Sequence, residues 1–341
     1  MNPRHLVQTC IVGRKGGRSF LAAACLILVG CEPAEEIFVS RGRFLISVSG
    51  LPRLEGGHYQ ILAEFATPGK GRDLGTSSYA GPYASLGRFN LSEDGSKLIG
   101  PDGRDARFEI PEGGNAQLID NVILALQPDS LLASSLHVGR GSVIMGGRML
   151  GDARMGVADL KLDHSDAFDS DLRLPTGTFT VTAPTSPPDS NSGVWFFENV
   201  LGIAPSLHDL PVLPPGWSYE GWLVDRTDSS IARYYSTGRF LRPDSADFDG
   251  PGPGAGPGQG MDFPGQDFIT GAGGQPELPD VNYGPYVVAV TIEPEPDISP
   301  EPFFLQILNS SNQPVDGIQA PRILYNVVDR HTPVVTIKVV R

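Results

Sequence analysis

The stretch LPPGWSYEGWLVDR, residues 213–226, sets Trp217, Tyr219 and Trp222 within six positions, directly after a Pro-Pro-Gly turn. Side chains alternate along an extended chain, so Tyr219 shares a face with Trp217 and Leu223, and Trp222 shares the other with Glu220 and Val224. Gly221 leaves a gap on the Tyr219 face, which makes Trp222 and Val224 the expected inward pair. An earlier stretch, LPRLEGGHYQILAEF at residues 51–65, follows the same plan of turn residues, a tyrosine and an apolar run.

Working outward from Tyr59 and Tyr219, the two halves keep matching in order. SLGRFNLSEDG (85–95) answers STGRFLRPDSAD (236–247), NVILALQPDS (121–130) answers VVAVTIEPEPD (287–297), and GVADLKLD (156–163) answers PVVTIKVV (333–340). Four matches in one order imply an internal duplication. The interval from Phe89 to Pro128 is 39 residues and that from Phe240 to Pro294 is 54. The excess falls in DGPGPGAGPGQGMDFPGQDF, which reads as a flexible loop excursion.

Glycine (42) and proline (31) are abundant in the 341 residues, which favours short strands joined by turns. The alternation in RFLISVSGL, with Phe44, Ile46 and Val48 on one face, marks the first strand. The expected fold is all-β, with two tandem Ig-like β-sandwich domains at 44–165 and 175–341. DHSDAFDSDLRLPTG, residues 163–177, is the expected linker, and PDSLLASSLH (128–137) could form a turn or two of helix.

The N-terminus has a different character. Arg4, Arg14, Lys15 and Arg18 carry charge with no acid among them, and FLAAACLILVG (20–30) is a short apolar core. This is the pattern of a signal peptide over 1–30, and the core falls short of the roughly 20 residues of a spanning helix. Leu28-Val29-Gly30-Cys31 resembles the lipobox of bacterial lipoproteins, which implies acylation, palmitate included, of Cys31 and a lipidated tether at 31–43. Cys10 and Cys25 lie inside the leader, so a chain beginning at Cys31 holds one thiol and no intramolecular disulfide. Glu32 rather than aspartate follows the cysteine; by the same resemblance this implies delivery to an outer membrane, facing the periplasm or the surface.

The net charge of −13 becomes more negative once the basic leader is removed. That balance argues against nucleic acid and anionic lipid surfaces as partners, since both call for basic patches.

The series YEGWLV, STGRF and VVAVTIEPEPD followed by SPEPFFLQIL resembles the C-terminal extracytoplasmic domain of anti-sigma-K factors. The resemblance spans residues 210–308 and extends to 50–130, where Leu62 stands for the tryptophan and Gln127 for Glu293. It implies a small β-sandwich in an extracytoplasmic compartment. With no sigma-binding domain and no spanning helix expected, direct contact with a sigma factor is not expected either. The implied role is a non-enzymatic envelope lipoprotein that binds or senses, with the lipid-anchored membrane and envelope proteins as its partners.

Two further site types come from the residues themselves. Trp217, Tyr219 and Trp195 could form an aromatic platform for carbohydrate or cell wall, although large aromatics more often fill a core. Asp244, Asp247 and Asp249 before Gly250 could wrap carboxylates around Ca²⁺, without the twelfth-position glutamate of an EF-hand; an acidic solvated turn is the plainer reading. The histidines show no H-E-x-x-H spacing, and there is no G-x-S-x-G elbow or P-loop. GPGPGAGPGQG has prolines where phosphate-cradling N–H groups would be needed. A hydrolase built from scattered acids is the remaining alternative, and no cofactor is expected.

Overall fold

The structure is a computed structural model that describes residues 42–66, 83–112, 114–129, 142–152, 154–186, 188, 191–228, 230–269, 278, 280–281, 285–310 and 321–341. The leader, Cys31 and all but the first two residues of the candidate helix at 128–137 lie outside these.

The chain is almost entirely β, as its turn-rich composition implies. One antiparallel sheet has the order β1 (Arg43–Ser49), β20 (Val334–Val340), β8 (Met155–Asp159), β7 (Leu150–Gly151). A second runs β4 (Leu98–Ile99), β3 (Ala84–Leu91), β2 (Gly57–Phe65), β5 (Ile119–Pro128), β6 (Val143–Arg148). The largest follows the path β15 (Ile231–Phe240), β14 (Trp217–Asp228), β17 (Tyr286–Pro294), β18 (Gln306–Asn309), β19 (Arg322–Asn326), β9 (Thr176–Val181), β10 (Gly193–Trp195), β16 (Gly265–Asp267). β13 (Leu207–His208) also pairs with β9, and β11 (Phe197–Asn199) forms a hairpin with β12 (Ile203–Pro205). Among the described residues, helix is confined to a 3₁₀ turn at Ala116–Leu118 and one α-turn, α1 (Val328–His331).

The first strand behaves as its alternation predicts. Phe44, Ile46 and Val48 are half-buried, their neighbours are exposed, and they lie opposite the buried Val339, Ile337 and Val335 of β20. β20 also pairs with β8, Ile337 lying opposite Ala158. The sequence places residues 334–340 in a second domain at 175–341, whereas the structure inserts them between two strands of the first half. The described residues all fall within one compact unit. A single cluster of buried apolar side chains runs from Leu51 to Val339.

Three of the four matched segments hold equivalent places. Tyr59 pairs with Phe89 and Tyr219 with Phe240, and both hairpins carry a bulge just beyond, at Ile61/Leu62 and at Glu220/Trp222. On the other side Tyr59 faces Leu126 and Tyr219 faces Ile292. The phenols are buried and donate to backbone carbonyls, Tyr59 to Pro52 at 2.9 Å and Tyr219 to Pro211 at 2.6 Å. The fourth match is different in kind: β8 and β20 are neighbours in one sheet.

The expected linker is packed rather than exposed. Phe168 is buried with its ring centroid 5.2 Å from that of Trp217, and the Asn326 amide donates to the carbonyls of Leu172 and Pro175, each at 3.0 Å. The Gly/Pro excursion is likewise docked. The N–H of Gly258 donates to the Thr185 carbonyl at 2.8 Å and that of Ile269 to the Gly254 carbonyl at 2.9 Å. A Cβ at position 256 or 258 would fall 2.8 or 2.7 Å from the Thr185 carbonyl oxygen, so glycine is what permits the two backbones to meet.

Because Ile337 is buried between β1 and β8 in a continuous core, Ile337→Ala should lower stability by about 2–5 kcal/mol. Urea unfolding should show one cooperative transition moved to lower denaturant. An unchanged transition for residues of the second half, with only the first half unfolding earlier, would contradict the shared core.

Candidate functional site

The opening stretch forms β14, and both of its faces are buried. Tyr219 and Leu223 enter the main core, contrary to the expectation that Trp222 and Val224 lead inward. The gap at Gly221 is filled: a Cβ there would lie 2.5 Å from the Phe196 ring. Trp222 and Val224 instead join Val287 and Ala289 in a small cluster on the opposite face.

The aromatic platform is not formed. Trp217 lies between Phe168 and Phe303, with ring centroids 5.2 and 5.9 Å away, Tyr219 packs on Phe240, and all three candidate rings are at most 2% exposed. The Trp195 indole donates to Asp267 Oδ1 at 2.8 Å, inside a buried network in which Asp267 also accepts from the N–H and hydroxyl of Thr185. Burial holds that carboxyl above its ordinary range. These groups are fixed to one another and present no ring to a ligand.

Of the three aspartates of the calcium reading, Asp247 and Asp249 stay together, the two carboxyls hydrogen-bonded to each other, and Asp244 stands apart. Asp244 is exposed and clasped by the Arg242 guanidinium at 2.9 and 2.7 Å, which lowers its pKa. Asp247 is buried and accepts from the Gly265 N–H at 2.8 Å, and burial pushes it up to about 7. A group pushed toward its neutral form is a poor ligand for a hard cation. Among the described residues no cluster of three or more His, Cys, Asp or Glu is arranged around a metal position.

The structure points to a different set of residues. On the Trp222 face, β14, β15 and β17 bring together Ser218, Glu220, Ser236, Arg239, Thr291 and Glu293. Trp222 Nε1 donates to Thr291 Oγ1 at 2.9 Å, and the Thr291 hydroxyl donates to Glu293. The N–H of Phe303 reaches Glu293 Oε1 at 2.9 Å, and Ser236 Oγ reaches Glu220 Oε1 at 2.6 Å. Glu220 is 4% and Glu293 1% exposed. Desolvation pushes Glu220 up to about 7 and Glu293 to about 8, each in part through the charge of other carboxylates, Glu293 through that of Glu220. The Arg239 guanidinium partly offsets this for Glu220: Nε lies 3.5 Å from Glu220 Oε2, while its other end reaches Glu295 at 3.1 Å and the Pro294 carbonyl at 2.9 Å. Beside Thr291 a cleft of about 220 Å³ opens between Tyr234, Val287, Phe304 and Asn309.

The first half carries the same strip with different chemistry. Gln60 occupies the place of Glu220, Leu62 that of Trp222, Ala125 that of Thr291 and Gln127 that of Glu293. Gln60 Nε2 donates to Ser85 Oγ at 2.7 Å, as Ser236 serves Glu220. Neutral amides therefore suffice to fill these positions. Glutamates there add the capacity to take up and release protons near neutrality. Sequence reasoning paired Gln127 with Glu293 but gave no reason to single out Glu220; only the pairing register sets the two acids on one face.

A carboxyl whose folded pKa lies above its unfolded value stabilises the fold in its protonated form. That contribution is complete below about pH 4.5, the ordinary glutamate value, and is lost as pH rises through the folded values near 7 and 8. Stability of the parent should therefore fall between pH 5 and 8. Asp247 and Asp267 act in the same direction. Glu220→Gln/Glu293→Gln, which imposes the chemistry of the first half, should flatten the profile by up to about two protons. Thermal or urea unfolding across that range measures it, and an unchanged slope would refute the protonated pair.

Trp222→Ala removes a buried ring and the donor to Thr291, and should lower stability by about 3–5 kcal/mol. A variant that melts like the parent would show that the small cluster contributes nothing.

Comparison with protein-family models, with curated proteins and with solved structures returns no match for the chain.

Proposed function

We propose that the chain is a non-enzymatic envelope lipoprotein, an extracytoplasmic binding or sensory module held to its membrane through acylated Cys31 and built on domains like those of anti-sigma-K factors. Its second half is the responsive one. The observation that carries this is the exchange of Gln60 and Gln127 for Glu220 and Glu293 in strips of the same register. Amides fill the same positions in the first half, and what the acids add is a proton that can be taken up and released near neutrality. They sit beneath the sheet surface, each held by a fixed donor, an arrangement that stores protons and does not meet a substrate. The cleft beside Thr291 is where a change in their protonation would reach the surface. The basic leader, its short apolar core and Leu28-Val29-Gly30-Cys31 support the anchor.

Two measurements test the reading. In cells fed an alkynyl palmitate, the parent should take up label and stay with membranes after a high-salt wash; Cys31→Ala should do neither. Equal retention of that variant with its leader intact would refute the anchor. A photo-crosslinking residue at Ala232, which lines the cleft, should give a discrete adduct with an envelope component that changes in Glu220→Gln/Glu293→Gln. The same adduct from the exposed Ser96 turn would refute a specific role for the cleft.

A further inference from the structure

The outward face of the β1-β20-β8-β7 sheet is graded in polarity along its strands. The registers place Arg43, Val340 and Met155 in one row, then Leu45, Lys338, Val157 and Leu150, then Ser47, Thr336 and Asp159. Rows on one face stand about 7 Å apart. Leu45, Leu150, Met155 and Val340 are between 43% and 65% exposed. The first two rows thus form an apolar patch around Lys338, with Arg43 at its edge and Arg154 on the adjoining turn. In that turn Asp152 is occupied by the N–H groups of Arg154 and Met155. The third row is hydroxyl and carboxylate, Thr336 Oγ1 donating to Asp159 at 2.7 Å.

The apolar and cationic rows lie at the end where β1 begins. Eleven residues separate Cys31 from Arg43, a reach of about 40 Å at full extension. We infer that this end of the sheet rests on the surface of a bilayer containing anionic phospholipid, the apolar side chains entering the headgroup zone and Arg43, Arg154 and Lys338 pairing with phosphates. Net charge argues against such a partner for the chain as a whole, but a peripheral contact reads the local distribution. A lipid anchor on a flexible tether fixes how far the chain can stray from the membrane but not its orientation, which a second, weaker contact sets. The inference rests on the anchor reading for its geometry, since the anchor sets which end of the sheet meets the membrane.

The test uses the full mature chain with Cys31→Ser, which separates this contact from acylation. It should sediment with vesicles of phosphatidylglycerol and phosphatidylcholine about tenfold better than with phosphatidylcholine alone, and the difference should shrink in high salt. Leu45→Asp/Met155→Asp changes two exposed positions and should abolish binding with an unchanged circular dichroism spectrum. Lys338→Glu should remove the preference for anionic vesicles. Equal sedimentation with both vesicle types, or binding unaffected by the double variant, would overturn the proposal. So would a dimer in sedimentation velocity that Leu45→Asp/Met155→Asp dissociates while vesicles are ignored, which would place a second copy on this face. A negative vesicle result leaves the palmitate labelling of Cys31 unaffected, so failure of the contact and failure of the anchor are told apart.

Discussion

Seven residue pairs join β1 to β20 and close the sheet that the two ends of the described chain share with β8 and β7. Among the described residues β1 pairs with β20 alone, and β20 supplies Val335, Ile337 and Val339 to the core beneath. The sheet of β1, β8 and β7 is therefore complete only when residues 334–340 are in place. Contacts between such distant segments form slowly, because loop closure precedes the gain from burial. A chain emerging N-terminus first has to hold β1 and β8 apart until its end arrives.

Given that closure, the paired hairpins share one set of constraints. The tyrosine, its phenylalanine partner at 5.3 or 5.6 Å and the bulge beyond them recur at the same register. Burial raises both phenols far above their ordinary range and keeps them neutral donors to a proline carbonyl. What varies between the halves is the opposite face. There Gln60 donates to Ser85 and leaves its buried Oε1 without a hydrogen-bond partner, whereas a glutamate carries the penalty of a buried charge and escapes it by holding a proton. The geometry of the strip is thus common to both halves, and its titration belongs to one.

Much of this was legible in the sequence. Period-two alternation located β1 within RFLISVSGL and its inward face, and the Tyr-x-x-hydrophobic echo located β2 and β14, because both signals reflect local backbone geometry. Two readings failed for reasons that local patterns do not contain. The match between residues 156–163 and 333–340 reflects strands alike in composition, which carries no information about which sheet receives them. The inward face of β14 was misjudged because the space at Gly221 is filled by Phe196, a residue 25 positions away. The candidate site was half visible: the Gln127–Glu293 exchange stood in the alignment of the halves, but its meaning depends on burial and on Glu220 facing the same way. The acidic turn at 244–249 offered three carboxylates, and the fold holds Asp244 on Arg242 while setting Asp247 against Asp249.

The Gly/Pro run at 250–260 has a composition usually associated with segments free to drift. Its backbone lies against Thr185 and Ile269 so closely that no side chain fits at positions 254, 256 or 258. Tolerance to substitution is therefore inverted along this part of the chain: a residue type chosen for freedom is held by crowding, and even a methyl group would push apart two backbones that have hydrogen-bonded. Packing therefore demands glycine at these three positions as strictly as it demands an apolar residue in the core, while the exposed Asp244 of the neighbouring turn meets no such limit.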